Sequence, residues 1–151
     1  MNALRQKLDP LYKYIPPHLT LVFPFRSTIK TASLKQHIET AVQNIKPFDL
    51  TLNGISGWNN EYLFLDVIKG SKEIAMLHDT LYKGLLYEFL NKEILYVPHM
   101  TIGRFEDKEK WEEALKDLKN FNHVFTDLVE EIYVEVIDEE QNSTIELAVK
   151  L

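Results

Sequence analysis

Two short segments of this 151-residue sequence carry the same order of residue types. Pro17-His18-Leu19-Thr20-Leu21 and Pro98-His99-Met100-Thr101-Ile102 both read Pro-His-apolar-Thr-apolar, and each is followed within a few residues by Phe. On an extended strand, residues i and i+2 point to one face about 6.6 Å apart. His18 then projects with Thr20, and His99 with Thr101, while Leu19, Leu21, Met100 and Ile102 pack behind. Facing each other across a cleft, two such segments present two imidazoles and two hydroxyls to a small space suited to a phosphate. One neutral His can accept a proton from an attacking hydroxyl or water while the other, protonated, donates to the leaving oxygen. Histidine is the side chain whose ordinary pKa allows both states near neutrality. The Thr hydroxyls can hold non-bridging oxygens where charge builds up. A Thr two residues after a His is an ordinary outcome of alternation when it occurs once. Two copies, each behind a Pro and each opening a strand, make a paired site the better reading.

The elements that must position these segments follow from spacing. Leu4, Leu8, Leu11 and Ile15 give a short opening helix broken at Asp9-Pro10. His18–Phe23 alternates as a half-buried strand and ends at Pro24. Leu34, Ile38, Ala41, Val42 and Ile45 predict a helix over 31–45, with Thr31 or Ser33 as N-cap and Pro47 beyond it. Strands are predicted over Phe48–Ile55 and Glu61–Ile68, with Gly57 and Asn59-Asn60 in the turn. Ser71 caps a second helix running to about Leu90, its face made by Ile74, Leu77, Leu81, Leu85 and Phe89. A short strand Ile94–Val97 leads into His99–Phe105. Asp107 then caps a third helix with Trp111, Ala114, Leu115 and Leu118 inward, and Glu131–Ile137 and Thr144–Val149 close the chain as a hairpin. Intermixed elements, adjacent closing strands and no glycine-rich phosphate loop favour an α+β fold with antiparallel sheet in a single domain, residues 1–151. Each repeated segment is followed by a helix and then two strands, so the chain reads as two related halves; if they pair about a pseudo-twofold axis, the two segments sit side by side near the centre.

The remaining candidates are weaker. Arg104, two residues after Ile102, is suited to bidentate phosphate binding and equally to a surface salt bridge. His37, His78 and His123 read as solvated or packing residues, and Arg5 and Asp9, one helical turn apart, as a pair. Phe25, Tyr62 and Tyr96 could stack a base near the cleft, although core or rim packing is the commoner role. No close-spaced ligand motif such as His-Glu-x-x-His accompanies the histidines, so no metal is expected.

Composition bounds the partners. The 45% hydrophobic and 26% charged content is that of a globular protein, and the absence of cysteine removes disulfides, thiolate nucleophiles and Cys-ligated zinc. A formal charge of -6 argues against coating long nucleic acid or an anionic membrane, and directs attention to a small substrate or a terminus. Met1–Leu8 has no apolar core of a signal peptide, and Leu19–Phe25 is far short of the ~20 residues of a membrane span, so the cytoplasm is the expected location.

At this point the residues resemble a known family, the two-histidine (2H) phosphoesterases, which include the bacterial 2′-5′ RNA ligase-like proteins and the cyclic phosphodiesterases. The family signature is two copies of His-apolar-Thr/Ser-apolar. It is matched by His18-Leu19-Thr20-Leu21 and His99-Met100-Thr101-Ile102, within longer phrases from Asp9-Pro10 to Phe25 and from Val97 to Phe105. The resemblance implies a bilobal α+β fold: two antiparallel sheets about a pseudo-twofold cleft, with helices outside. It implies chemistry on 2′,3′-cyclic phosphates or 2′-5′ phosphodiesters without ATP or a metal ion. His18 and His99 would be the acid-base pair, in either order, with Thr20 and Thr101 on the phosphate. The substrate would be a small nucleotide or an RNA terminus; a non-catalytic binder of the same ligands is the alternative. Family members usually begin with a strand before the segment matching Arg5–Pro10. Either the start of the sequence is set too late, or one lobe lacks its first strand, which is expected to leave a sheet edge exposed or covered by a homodimer.

Overall fold

The computed structural model describes all of residues 1–151. The chain forms α1 (Asn2–Leu8), α2 (Thr31–Val42), β1 (Phe48–Trp58), β2 (Tyr62–Lys69), α3 (Ser71–Leu81), β3 (His99–Arg104), α4 (Lys108–Asp117), β4 (Phe125–Val129), β5 (Glu131–Ile137) and β6 (Ser143–Lys150), with a 3₁₀ turn at Gly84–Phe89. The fold is α+β with two antiparallel sheets, one of four strands in the order β3-β2-β1-β4 and one made of β5 and β6 alone. Both strands of the smaller sheet have an outer edge without a strand neighbour.

Alternation along the strands divides the interior into two cores. Leu50, Leu52, Leu63, Leu65, Met100 and Ile102 line one face of the large sheet, and α1 and α4 cover them with Leu4, Trp111, Ala114, Leu115 and Leu118. Ile38 and Val42 of α2, Leu77 and Leu81 of α3, Ile132 of β5 and Val149 of β6 form the second core. Leu19 packs against the first core and Leu21 and Val22 against the second, so the first His-Thr segment runs along the seam between the lobes.

Several local expectations are corrected. His18–Phe23 is not a regular strand; its one strand-like contact is an antiparallel bridge from Leu19 to Met100. Residues 94–97 are also irregular, because no strand lies beside them, and Leu95 is 87% exposed. The helix expected to reach Leu90 ends at Leu81. Gly84, at φ +64, breaks the period, which buries Leu86 and leaves Leu85 exposed. Neither Thr31 nor Ser33 caps α2 and Ser71 does not cap α3, whereas Asp107 does cap α4, accepting from the amides of Glu109 and Lys110. Gly57 is not in the turn. It lies within β1 beneath Trp111, where an added Cβ would fall 2.4 Å from the indole, so only glycine allows that contact. The turn is Asn59-Asn60, both at positive φ as a tight hairpin requires. β4 was not foreseen: its Thr-Asp-Leu centre is exposed and gives no alternation to read.

The opening helix does more than cover a core. Arg5 and Asp9, both 2% exposed, are paired through Arg5 Nε and Nη2 to Asp9 Oδ2 at 3.2 and 2.7 Å. Arg5 Nη1 donates to the Ile15 carbonyl at 2.8 Å, and Asp9 Oδ1 accepts the Leu11 amide at 3.0 Å. The pair thereby ties the loop that leads into His18 to the first helix. Asp9→Ala leaves a buried guanidinium without its counter-ion, and urea denaturation should register a loss of about 3–5 kcal/mol. The double variant Arg5→Met/Asp9→Leu should lose less than Asp9→Ala; an equal or greater loss would contradict the role of the unpaired charge.

Candidate active site

The two repeated segments meet. Antiparallel pairing of Leu19 with Met100 sets His18 across from Thr101 and Thr20 across from His99. The bridge thus puts His18 and His99 diagonally across from each other. His99 and Thr101 share the face of β3 opposite to Met100, which is buried behind them with Ile102.

Both imidazoles are oriented alike. His18 Nδ1 lies 2.9 Å from the Pro16 carbonyl, and His99 Nδ1 lies 2.7 Å from the Val97 carbonyl. A carbonyl only accepts, so Nδ1 carries the proton in each ring and Nε2 is left for chemistry. The acceptor is two residues back in both copies, with a proline between. Pro17 and Pro98 fix φ there and so hold each carbonyl against its ring.

The supports of the two segments differ. The second lies in β3, with register pairs Asp66 to His99, Phe64 to Thr101 and Tyr62 to Arg104 on β2. The first is held by side chains. Tyr96 Oη donates to the Thr20 carbonyl at 2.8 Å, His78 Nδ1 donates to the Leu21 carbonyl at 2.7 Å, and the Phe23 amide donates to Tyr82 Oη at 2.9 Å. His78 stacks on Tyr96 with centroids 3.7 Å apart and meets Tyr82 edge-on at 4.9 Å, so the three rings form one block. Burial pushes both phenols up from their ordinary pKa, which keeps them neutral as hydrogen-bonding groups.

A bulge decides where Arg104 points. Strict alternation from His99 and Thr101 would send it to the core side with Met100 and Ile102. The register shifts between Leu63 and Phe64, inserting one extra residue in β3, and this returns Arg104 to the histidine face beside Tyr62. Its Cζ lies 6.0 Å from the Tyr62 ring centroid. Arg104 Nε is 3.4 Å from Asp9 Oδ1, an ion pair that falls short of a hydrogen bond and leaves that buried N–H without a partner. Arg104 thus makes an ion pair, with the buried Asp9, from a position on the histidine face.

Two neighbours of His99 were not legible from sequence. Phe64 stacks on its ring at 3.8 Å, and Asp66, its cross-strand partner, accepts from Ser56 Oγ at 2.6 Å. Burial draws the His99 pKa below the ordinary 6.5. The Val97 carbonyl and the Asp66 charge oppose that shift, and the nearby His18 adds to it. The balance favours the neutral ring. Of the other histidines, His37 lies 2.8 Å through Nε2 from the Leu81 carbonyl at the end of α3, His78 belongs to the clamp, and His123 is exposed. Phe25 stacks on Phe89 at 4.3 Å, a packing role. No three His, Asp or Glu side chains converge as a metal-binding group would, and no helix is long and apolar enough to cross a membrane.

A family model, the 2′-5′ RNA ligase superfamily, matches residues 1–141. The chain belongs to this superfamily of two-histidine phosphoesterases. Among its relatives, a Bacillus licheniformis protein named "Putative phosphoesterase" is 29% identical over 121 residues, covering 78% of this chain and 70% of that one. A Bacillus cereus protein of the same name is 31% identical over 106 residues, covering 68% of this chain and 60% of its own length. The fold is shared with Escherichia coli LigT. The structure of that protein with 3′-AMP aligns with a TM-score of 0.61 at 15% identity, and the one with ATP with 0.57 at 16%; each alignment covers all of this chain and 92% of the other.

Two expectations follow for this member of the superfamily. NMR titration should place the His99 pKa below 6.5. Asp66→Asn, which removes a charge favouring the imidazolium, should lower it further; an upward shift would contradict the arrangement. Tyr96→Phe keeps the ring stack but strips the Thr20 carbonyl of its donor, and should cost about 1–3 kcal/mol in urea unfolding.

Proposed function

We propose that the protein is a phosphodiesterase of RNA ends, acting on 2′,3′-cyclic phosphates or 2′-5′ phosphodiesters through His18 and His99. The observation that carries this reading is the antiparallel apposition of the two segments, with both rings bonded through Nδ1 to the carbonyl two residues back.

In the hydrolytic direction, Nε2 of the neutral ring takes a proton from water as its oxygen bonds to phosphorus. Nε2–H of the protonated ring gives a proton to the ribose oxygen as its bond to phosphorus breaks. The lowered pKa of His99 suits it to the accepting role, which leaves His18 to donate. In the ligation direction the roles exchange. Thr20 and Thr101 lie across from the opposite histidine, where their hydroxyls can hold the two non-bridging oxygens. Arg104, on the same face, adds a guanidinium for the phosphate charge. The site supplies acid, base and anion contacts from side chains, so the proposed reaction draws on no cofactor.

Hydrolysis of 2′,3′-cyclic AMP and of a 2′-5′-linked dinucleotide tests the proposal. His18→Ala and His99→Ala should each lower kcat by about 10²–10⁴-fold, with the double variant little worse than either. Wild-type turnover should survive a chelator. Full turnover in either single variant would end the paired mechanism, and saturable binding without turnover would leave a nucleotide-binding or RNA-end-binding protein in its place.

A further inference from the structure

The histidine face of the large sheet continues past the phosphate site as a row of rings. His99 stacks on Phe64 at 3.8 Å, Phe64 and Tyr62 lie 6.1 Å apart at an interplanar angle of 22°, and Tyr62 meets Trp58 at 5.9 Å. Register puts them on one face: Phe64 and Tyr62 alternate along β2, and Trp58 pairs with Tyr62 across the hairpin. None of these four rings belongs to either core, and Trp58 at the far end is 55% exposed. An indole so placed contributes little to folding, yet its backbone is held firmly. Trp111 packs beneath Gly57 from the opposite face and donates through Nε1 to the Tyr62 carbonyl at 2.9 Å, while the Asn59-Asn60 turn closes the hairpin. Arg104 beside Tyr62 gives the middle of the row a positive charge in a chain of net charge -6.

Rigid aromatic faces in series with a cation beside them form the pattern that binds successive bases of a single strand. Each base has a face to stack, and each linking phosphate needs a counter-charge. We propose that Phe64, Tyr62 and Trp58 are a stacking platform for the bases of a single-stranded oligoribonucleotide whose terminal phosphate lies between His18 and His99. The preferred substrate is then an RNA end of two or more nucleotides, not a free mononucleotide. The proposal rests on the phosphodiester reading of the histidine pair, and it adds the length and strandedness of the ligand.

The test measures affinity without turnover. A fluorescein-labelled pentaribonucleotide with a 3′-phosphate is titrated by anisotropy and compared with adenosine 3′-phosphate as competitor, in wild type, Trp58→Ala and Trp58→Phe. The pentanucleotide should bind wild type at least about 5-fold tighter than the mononucleotide. That advantage should collapse in Trp58→Ala and be retained in Trp58→Phe, with circular dichroism showing that both variants fold. An advantage unchanged in Trp58→Ala, or absent in wild type, overturns the platform. Turnover of 2′,3′-cyclic AMP by wild type is read separately. Turnover without a Trp58-dependent advantage defeats the platform alone, and a Trp58-dependent advantage without turnover defeats the catalytic reading alone.

Discussion

The site depends on one contact between the lobes, the antiparallel apposition of Leu19 and Met100. Met100 is fixed by the ladder of the large sheet, with β2 at its side and a buried core behind it. Leu19 has no such ladder. Its segment crosses the seam between two cores, and its neighbours along the chain are held by Tyr96, His78 and Tyr82 bonding to the backbone at Thr20, Leu21 and Phe23. These bonds replace what a paired strand would have supplied. A buried backbone carbonyl or amide without a partner is costly, so the ring block both satisfies these groups and fixes where the first histidine stands.

A sequence repeat is thus supported asymmetrically, and the asymmetry has a chemical consequence. The rings share a tautomer because each is bonded to the carbonyl two residues back. Their surroundings differ. His99 lies against Phe64 and next to Asp66, within a sheet face that desolvates it, and its pKa falls. Two acid-base groups with identical environments would compete for one proton. The sheet face around His99 favours its neutral form.

What could be read from the sequence follows from how local each feature is. The two segments, the sharing of a face by His99 and Thr101, the α+β class and the closing hairpin depend on alternation and neighbouring residues, and they were legible. Phe64 and Asp66 were not, because cross-strand partners depend on a register that only the folded sheet sets. The bulge that turns Arg104 toward the site reverses what alternation implies, and nothing in Ile102-Gly103-Arg104 marks it beyond the glycine. His78 has the spacing of a packed helical residue, and it is packed; that it also donates to a carbonyl 57 residues earlier in the chain is a tertiary fact. Tyr96 read as a strand residue because aromatic and branched neighbours surround it, yet no strand lies alongside.

The acidic composition and the anionic ligand proposed above are reconciled at Asp9. Two arginines approach one buried carboxylate, Arg5 from α1 through Oδ2 and Arg104 from β3 through Oδ1. The group of three carries a net charge of one positive unit, two guanidinium charges against one carboxylate. Arg5 is sealed in the interior, whereas the Arg104 side chain is about one third exposed, so the uncompensated charge emerges at the end nearest the histidines. A lone surface arginine would be mobile and well solvated, and its pull on a phosphate would be weakened by the entropy of holding it still. Anchored from behind by Asp9 and flanked by Tyr62, this one is already in place. Under the proposed function, a chain of net charge -6 would need no basic surface to bind one phosphate, because the fold holds one oriented cation, Arg104, on the histidine face.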